Sequence, residues 1–170
     1  MNKTFADQVV AFNQNLKYDG NLPSDFQVLN PYLDNPETMI VMEKFYHKYY
    51  NDSNQRKFLI GINPSRHGAG ITGVPFTDTK RLESICGIKM ESAYTHEISS
   101  VFIYDMIANY GGAEEFILGK KNAEFISKIN QEVNLFEKMT VLEHPRYIQQ
   151  YKSKEKDLYI DKYILALKNK

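Results

Sequence analysis

The segment FLIGINPSRHGAGITGVPF, Phe58 to Phe76, constrains the fold of this chain more than any other. Its approach, Lys57 to Ile62, is a short apolar run stopped by Asn63-Pro64, the pattern of a strand buried on both faces. Beyond it regular structure gives way, because Gly68, Gly70 and Gly73 let the backbone turn sharply or approach a neighbour closely. The segment then closes on Val74-Pro75-Phe76. A second short run, Lys138 to Leu142, leads in the same way into Glu143-His144-Pro145-Arg146.

The rest of the chain reads mainly as helices. Phe5, Val9, Phe12 and Leu16 share one helical face from Phe5 to Leu16. Asn30-Pro31 is a turn, and Asn35-Pro36-Glu37 opens a helix that runs to about Tyr50, ahead of the polar loop Asn51-Asp52-Ser53-Asn54. Further helices are predicted from Asp78 to Ile85, from Ile98 to Tyr110 before Gly111-Gly112, from Lys120 to Val133, and from Tyr159 to Leu167. Helices alternating with short apolar runs predict an α/β protein, a three-layer α/β/α sandwich around a central, mainly parallel sheet. Sites in such sheets lie beyond the carboxyl ends of the strands, so the loops after Ile62 and Leu142 are expected to meet at one crevice.

Composition narrows the function classes. A chain of 170 residues suits one domain with a real core. Basic and acidic residues balance at 21 each, which argues against a non-specific DNA coat but leaves room for a local basic patch. The single cysteine, Cys86, excludes an intrachain disulfide framework, an iron–sulfur cluster or an all-cysteine zinc site, and is expected to be a small buried residue. No apolar run is long enough for a membrane span, and a reducing cytoplasm is the expected compartment. The tyrosine-rich pairs Phe45-Tyr46 and Tyr49-Tyr50 suit either a base-stacking platform or a helix that buries rings against the core.

The two loops carry the chemistry. Asn63 offers donors and an acceptor on a short stem, able to hold a water or a ligand edge, but it is no strong base. Phe76 offers a flat apolar wall. His144 offers a donor that strengthens against charge on a leaving group, and Arg146 can reach a phosphate. Together they suit a planar heterocycle attached to a phosphodiester chain. Each alone has a plainer reading: Asn-Pro as a turn, His-Pro as a loop, Phe76 as core. The phosphate-cradling signature GxxxxGK[ST] is absent.

Gly61 to Phe76, GINPSRHGAGITGVPF, resembles the first active-site motif of the uracil-DNA glycosylase superfamily. Within it the chain is most similar to a bacterial subgroup of the single-strand-selective monofunctional branch, with Asn63, Pro64, Thr72, Gly73, Val74, Pro75 and Phe76 matching in order. Leu142 to Tyr151 resembles the second motif, and the resemblance extends from about Phe5 to Leu167. It implies hydrolysis of the N-glycosidic bond of uracil, or a modified uracil, in DNA. By position, Asn63 would hold the attacking water and His144 would stabilise the departing base. Gly61, Ile62, Pro64, Gly73, Pro75 and Phe76 would line the base pocket. Ser65, Arg66, His67, Arg146, Tyr147 and Lys152 would face DNA. No metal or cofactor is implied, and a monomer is expected, with DNA as partner and no membrane. The cationic cluster of Arg146, Lys152, Lys154 and Lys156 suits either a phosphate-contacting edge or a solvated helix entrance.

In one respect the chain departs from the family. A single domain over residues 1–170 is expected, yet the family's central strand, with its polar base-reading residue, has no counterpart here. Gly111 to Phe116 runs directly into Ile117 to Asn122. A deletion or a chain discontinuity is therefore expected near Phe116–Ile117. A genuine deletion favours the alternative reading, a catalytically silent nucleic-acid or nucleotide-binding α/β module, and release of uracil from DNA discriminates the two.

Overall fold

The computed structural model describes residues 3–54, 61, 64–110 and 140–168. These fall into two compact units, the first formed by residues 3–54 and 64–97, the second by 61, 98–110 and 140–168.

In the first unit, cap chemistry sets the helix starts. Thr4 opens α1 (Phe5–Gln14) with a capping box: its hydroxyl accepts the Asp7 N–H at 3.1 Å, and the Asp7 carboxylate accepts the Thr4 N–H at 2.9 Å. Asn30 and Asn35 do the same work for α2 (Pro31–Asp34) and α3 (Pro36–Tyr49). Their side chains accept from Tyr32 N–H at 3.1 Å and Glu37 N–H at 3.0 Å, each ahead of a proline in the first turn. Helix α3 packs against α1, α2 and α4 (Ala69–Thr72), burying Val41, Met42 and Phe45. Phe45 lies 5.0 Å from the Tyr49 ring and 5.6 Å from that of Tyr46, so these rings serve the core rather than an open platform. Burial, with Cys86 beside it, pushes the Tyr49 hydroxyl up to about 12. Cys86 itself is buried, as expected. Asp78 caps α5 (Thr79–Ser84) through the Arg81 N–H at 2.8 Å.

The second unit holds α6 (Ile98–Tyr110), α7 (Pro145–Tyr151), a 3-10 turn (Ser153–Glu155) and α8 (Lys156–Lys168). Helix α6 packs on both α7 and α8. Its Phe102 meets Tyr163 of α8 edge to face at 5.1 Å, both fully buried. Lys156, at the start of α8, pairs with Asp105 of α6 at 2.9 Å.

The expected central parallel sheet is contradicted, because no strand occurs among the described residues. Of the run Lys57 to Ile62 only Gly61 is described, in no strand. Of Lys138 to Leu142 the described part, residues 140–142, is irregular chain leading to α7. A short apolar run specifies burial, and Leu142 is indeed buried, but a strand also needs a neighbour to complete its hydrogen bonds. Three short helices were not anticipated. Helix α2 occupies the Asn30-Pro31 turn, α4 the glycine segment and α7 the chain after His144. The predicted helix Lys120 to Val133, the Gly111-Gly112 stop and the junction at Phe116–Ile117 lie outside the described residues, as do Ile62 and Asn63.

Candidate functional site

In the first unit, the residues expected at a site lie in the segment from Pro64 to Asp78. Ser65 folds its opening turn: the hydroxyl accepts the Gly68 N–H at 2.8 Å, and the carbonyl accepts the Gly70 N–H at 2.8 Å. Pro64, Arg66 and His67 are exposed, while Ser65 is half-buried and committed to the turn. At position 68 a side chain would displace the end of the Glu97 side chain. A Cβ there would stand 2.1 Å from the Glu97 Oε2. Gly73 has φ of 69°, and a Cβ would meet the Tyr32 ring at 2.7 Å. The same Tyr32 donates its hydroxyl to the Gly73 carbonyl at 2.9 Å, and Thr38 of α3 donates to the Ile71 carbonyl at 2.7 Å.

Thr72 is the buckle of the loop. Fully buried, it donates to the Thr77 carbonyl at 2.7 Å and accepts the Val74 N–H at 3.1 Å. The backbone between those anchors is forced through a tight turn, in which Pro75 is exposed and Phe76 half-buried. Phe76 adopts φ of 55°, the one positive φ at a non-glycine among the described residues. A left-handed backbone at a bulky side chain costs about 1–3 kcal/mol and persists only where surrounding structure imposes it.

Beneath the loop lie two acids. Asp78, fully buried, accepts from the Glu97 N–H at 2.6 Å and from the Arg81 guanidinium at 3.1 Å, besides capping α5. Glu97 is buried too, with its carboxylate against Gly68. The sequence reading assigns Asp78 only to a helix start and Glu97 to nothing. An acid just before a helical period is the signal that could have marked Asp78 as a cap.

In the second unit, the expected residues are His144 and those of α7. His144 caps α7, its Nδ1 accepting the Arg146 N–H at 3.1 Å. An imidazole nitrogen that accepts carries no proton, so the neutral ring holds its hydrogen on Nε2 and presents that atom as a donor. Helix α8 fixes the preceding residue from two sides. The buried Tyr163 hydroxyl donates to the Glu143 carbonyl, and Lys162 reaches the Glu143 carboxylate at 2.7 Å. Burial and the nearby Glu143 raise the Tyr163 hydroxyl far above its ordinary value, so it stays a donor. Arg146 and Tyr147 are exposed; Lys152 is half-buried and joined to Glu155 at 2.9 Å.

Of the residues expected at the site, Gly73, Pro75 and Phe76 share one loop with Pro64, Ser65, Arg66 and His67, and His144, Arg146, Tyr147 and Lys152 share α7 and its ends. Gly61 is half-buried. Among the described residues no group of three or more His, Cys, Asp or Glu side chains is placed to hold a metal ion, and no helix is long and apolar enough to cross a membrane.

No protein-family model and no curated protein matches the chain. A solved structure does. By fold and sequence together the chain belongs to the uracil-DNA glycosylases, in their bacterial SMUG2-type branch. The structure that shows this is the crystal structure of wild-type SMUG2 from Pedobacter heparinus, which matches with a TM-score of 0.89 at 37% identity over 97% of each chain.

Proposed function

We propose that this protein is a monofunctional DNA glycosylase that hydrolyses the N-glycosidic bond of uracil, or of a modified uracil, in DNA. The observation that carries the reading is the His144 imidazole, whose Nδ1 accepts the Arg146 amide, so that its one proton sits on Nε2. As the bond between C1′ of the sugar and N1 of the base breaks, the electron pair leaves with the base. A fixed neutral donor then meets the negative charge on a uracil oxygen without surrendering a proton, a contribution of about 3–4 kcal/mol to the barrier.

The other roles follow from the chemistry of the residues. Asn63 orients the water whose oxygen forms the new bond to C1′, and solvent takes its proton; the products are free uracil and an abasic sugar. An asparagine activates water only weakly, so a slow enzyme is expected. Phe76 offers a ring to the extruded base, offsetting part of the unstacking cost of a few kcal/mol. Arg66, His67 and Arg146 stand on exposed backbone suited to phosphates. The test is incubation of the full chain with a uracil-containing oligonucleotide, followed by alkaline cleavage at abasic sites. Strand scission is expected only where uracil stood, and DNA binding without scission would leave a silent binding module instead.

A further inference from the structure

Glu97 is a buried acid that the chemistry proposed above does not use. It keeps 6% of its surface exposed, and its backbone N–H is committed to Asp78 at 2.6 Å. Its carboxylate lies elsewhere, against the turn that Ser65 opens. A Cβ on Gly68 would stand 2.1 Å from the Glu97 Oε2 and 2.9 Å from the Ser65 Oγ, so carboxylate and hydroxyl border the same small gap. The Ser65 Oγ accepts the Gly68 N–H at 2.8 Å, and the residues between them, Arg66 and His67, are exposed.

The neighbouring acid has a structural task. Asp78 caps α5 through the Arg81 N–H, and the Arg81 guanidinium answers its charge at 3.1 Å. Burying a second carboxylate in the same unit is costly, and a neutral glutamine would accept hydrogen bonds there at lower cost. What glutamine lacks is the charge.

The turn beside that charge follows Asn63 directly in the chain, with only Pro64 between Asn63 and Ser65. In the reaction proposed above, the sugar gains positive charge as the base departs, at the carbon attacked by the water on Asn63. Asparagine brings no charge to that carbon. We propose that Glu97 supplies it, as a buried carboxylate that favours the positive sugar through space without touching DNA. At an effective dielectric constant of about 20, a unit charge about 8 Å from an opposite one is worth roughly thirtyfold in rate, and the partial charge of a transition state about tenfold. The inference rests on the glycosylase reading.

The test is single-turnover release of uracil from an oligonucleotide by the full chain and its Glu97→Gln and Glu97→Asp variants. Affinity for the same strand carrying an uncleavable abasic analogue is measured alongside. Glu97→Gln keeps the shape and removes the charge. It is expected to slow release about tenfold and to bind at least as tightly as wild type, since a negative charge is taken from near a polyanion. Glu97→Asp keeps the charge and is expected to be faster than Glu97→Gln. An acid that only braced the turn would behave otherwise: both variants would lose affinity along with rate, and the shorter aspartate would fare worse than glutamine. That outcome, or equal rates for Glu97→Gln and wild type, overturns the proposal. Where Glu97→Gln does not fold, Glu97→Asp decides: release near the wild-type rate sustains the proposal, and a loss of about tenfold overturns it. No release of uracil by wild type would overturn the glycosylase reading and this one together, whereas an active wild type with an equally active Glu97→Gln overturns this one alone.

Discussion

Phe76 and His144 are both held by backbone geometry, which makes the consequences of changing them separable. At Phe76 the left-handed φ of 55° would suit glycine. Phe76→Gly should therefore raise the melting temperature, by relief of about 1 kcal/mol or more of strain, while capture of an extruded base weakens by about 1–3 kcal/mol. Calorimetry and single-turnover excision read the two effects independently; a lower melting temperature would show that ring packing outweighs strain. At His144 the donor acts only as charge develops. His144→Ala should slow single-turnover release of uracil roughly 10²–10³-fold with little change in DNA affinity. Unaltered rates would remove His144 from the mechanism. Gly68→Ala tests the acid beneath the loop. With Glu97 Oε2 only 2.1 Å from the new methyl, the end of the acid must swing aside, and thermal denaturation should show only a modest loss of stability.

Among the elements, α3 and α7 show what local chemistry can reveal. The start of α3 was legible because Asn35-Pro36-Glu37 contains its own cap, a signal complete within a few residues. The same helix end does further work that was not legible. Glu37 accepts two N–H groups at 2.7 Å from Glu91 and Ser92, residues remote in sequence. Those bonds hold its carboxyl below the ordinary value of 4.5. Their stabilisation is complete above that pH and fades as pH falls through the lowered folded-state value. The melting temperatures of wild type and Glu37→Gln should therefore differ at pH 6 and converge in acid. A gap independent of pH would mean that the carboxylate charge is immaterial. Helix α7 escaped the sequence reading because its amphipathic stretch is too short to show a period, and its cap is a histidine rather than a common capping residue. Tyr163→Phe should disturb what that cap positions. Glu143 loses a carbonyl partner, and excision should slow while the fold survives, as far-ultraviolet dichroism can verify.

For the molecule as a whole, sequence reading fared best where residues act on near neighbours. The glycine loop and the His-Pro cap could be marked as chemistry because their residue types limit what the backbone can do. The sheet could not be secured in that way. Thr140 to Leu142 have strand composition but no strand, since pairing belongs to a partner and not to the run itself. The tautomer of His144 was equally hidden, because it depends on an amide that is in position only when α7 forms. One consequence of the first unit's construction concerns deuterium. Helix α3 packs against α1, α2 and α4, and its Thr38 holds the segment leading to Phe76. Amides around Val41 to Phe45 should exchange only when the whole unit opens, whereas those of α4 and α5, each shorter than two turns, exchange through small local openings. The loop that presents Phe76 is thus moored to the slowest-exchanging part of its unit. A core substitution such as Met42→Ala should hasten exchange at Ile71 to Val74 as well as within α3.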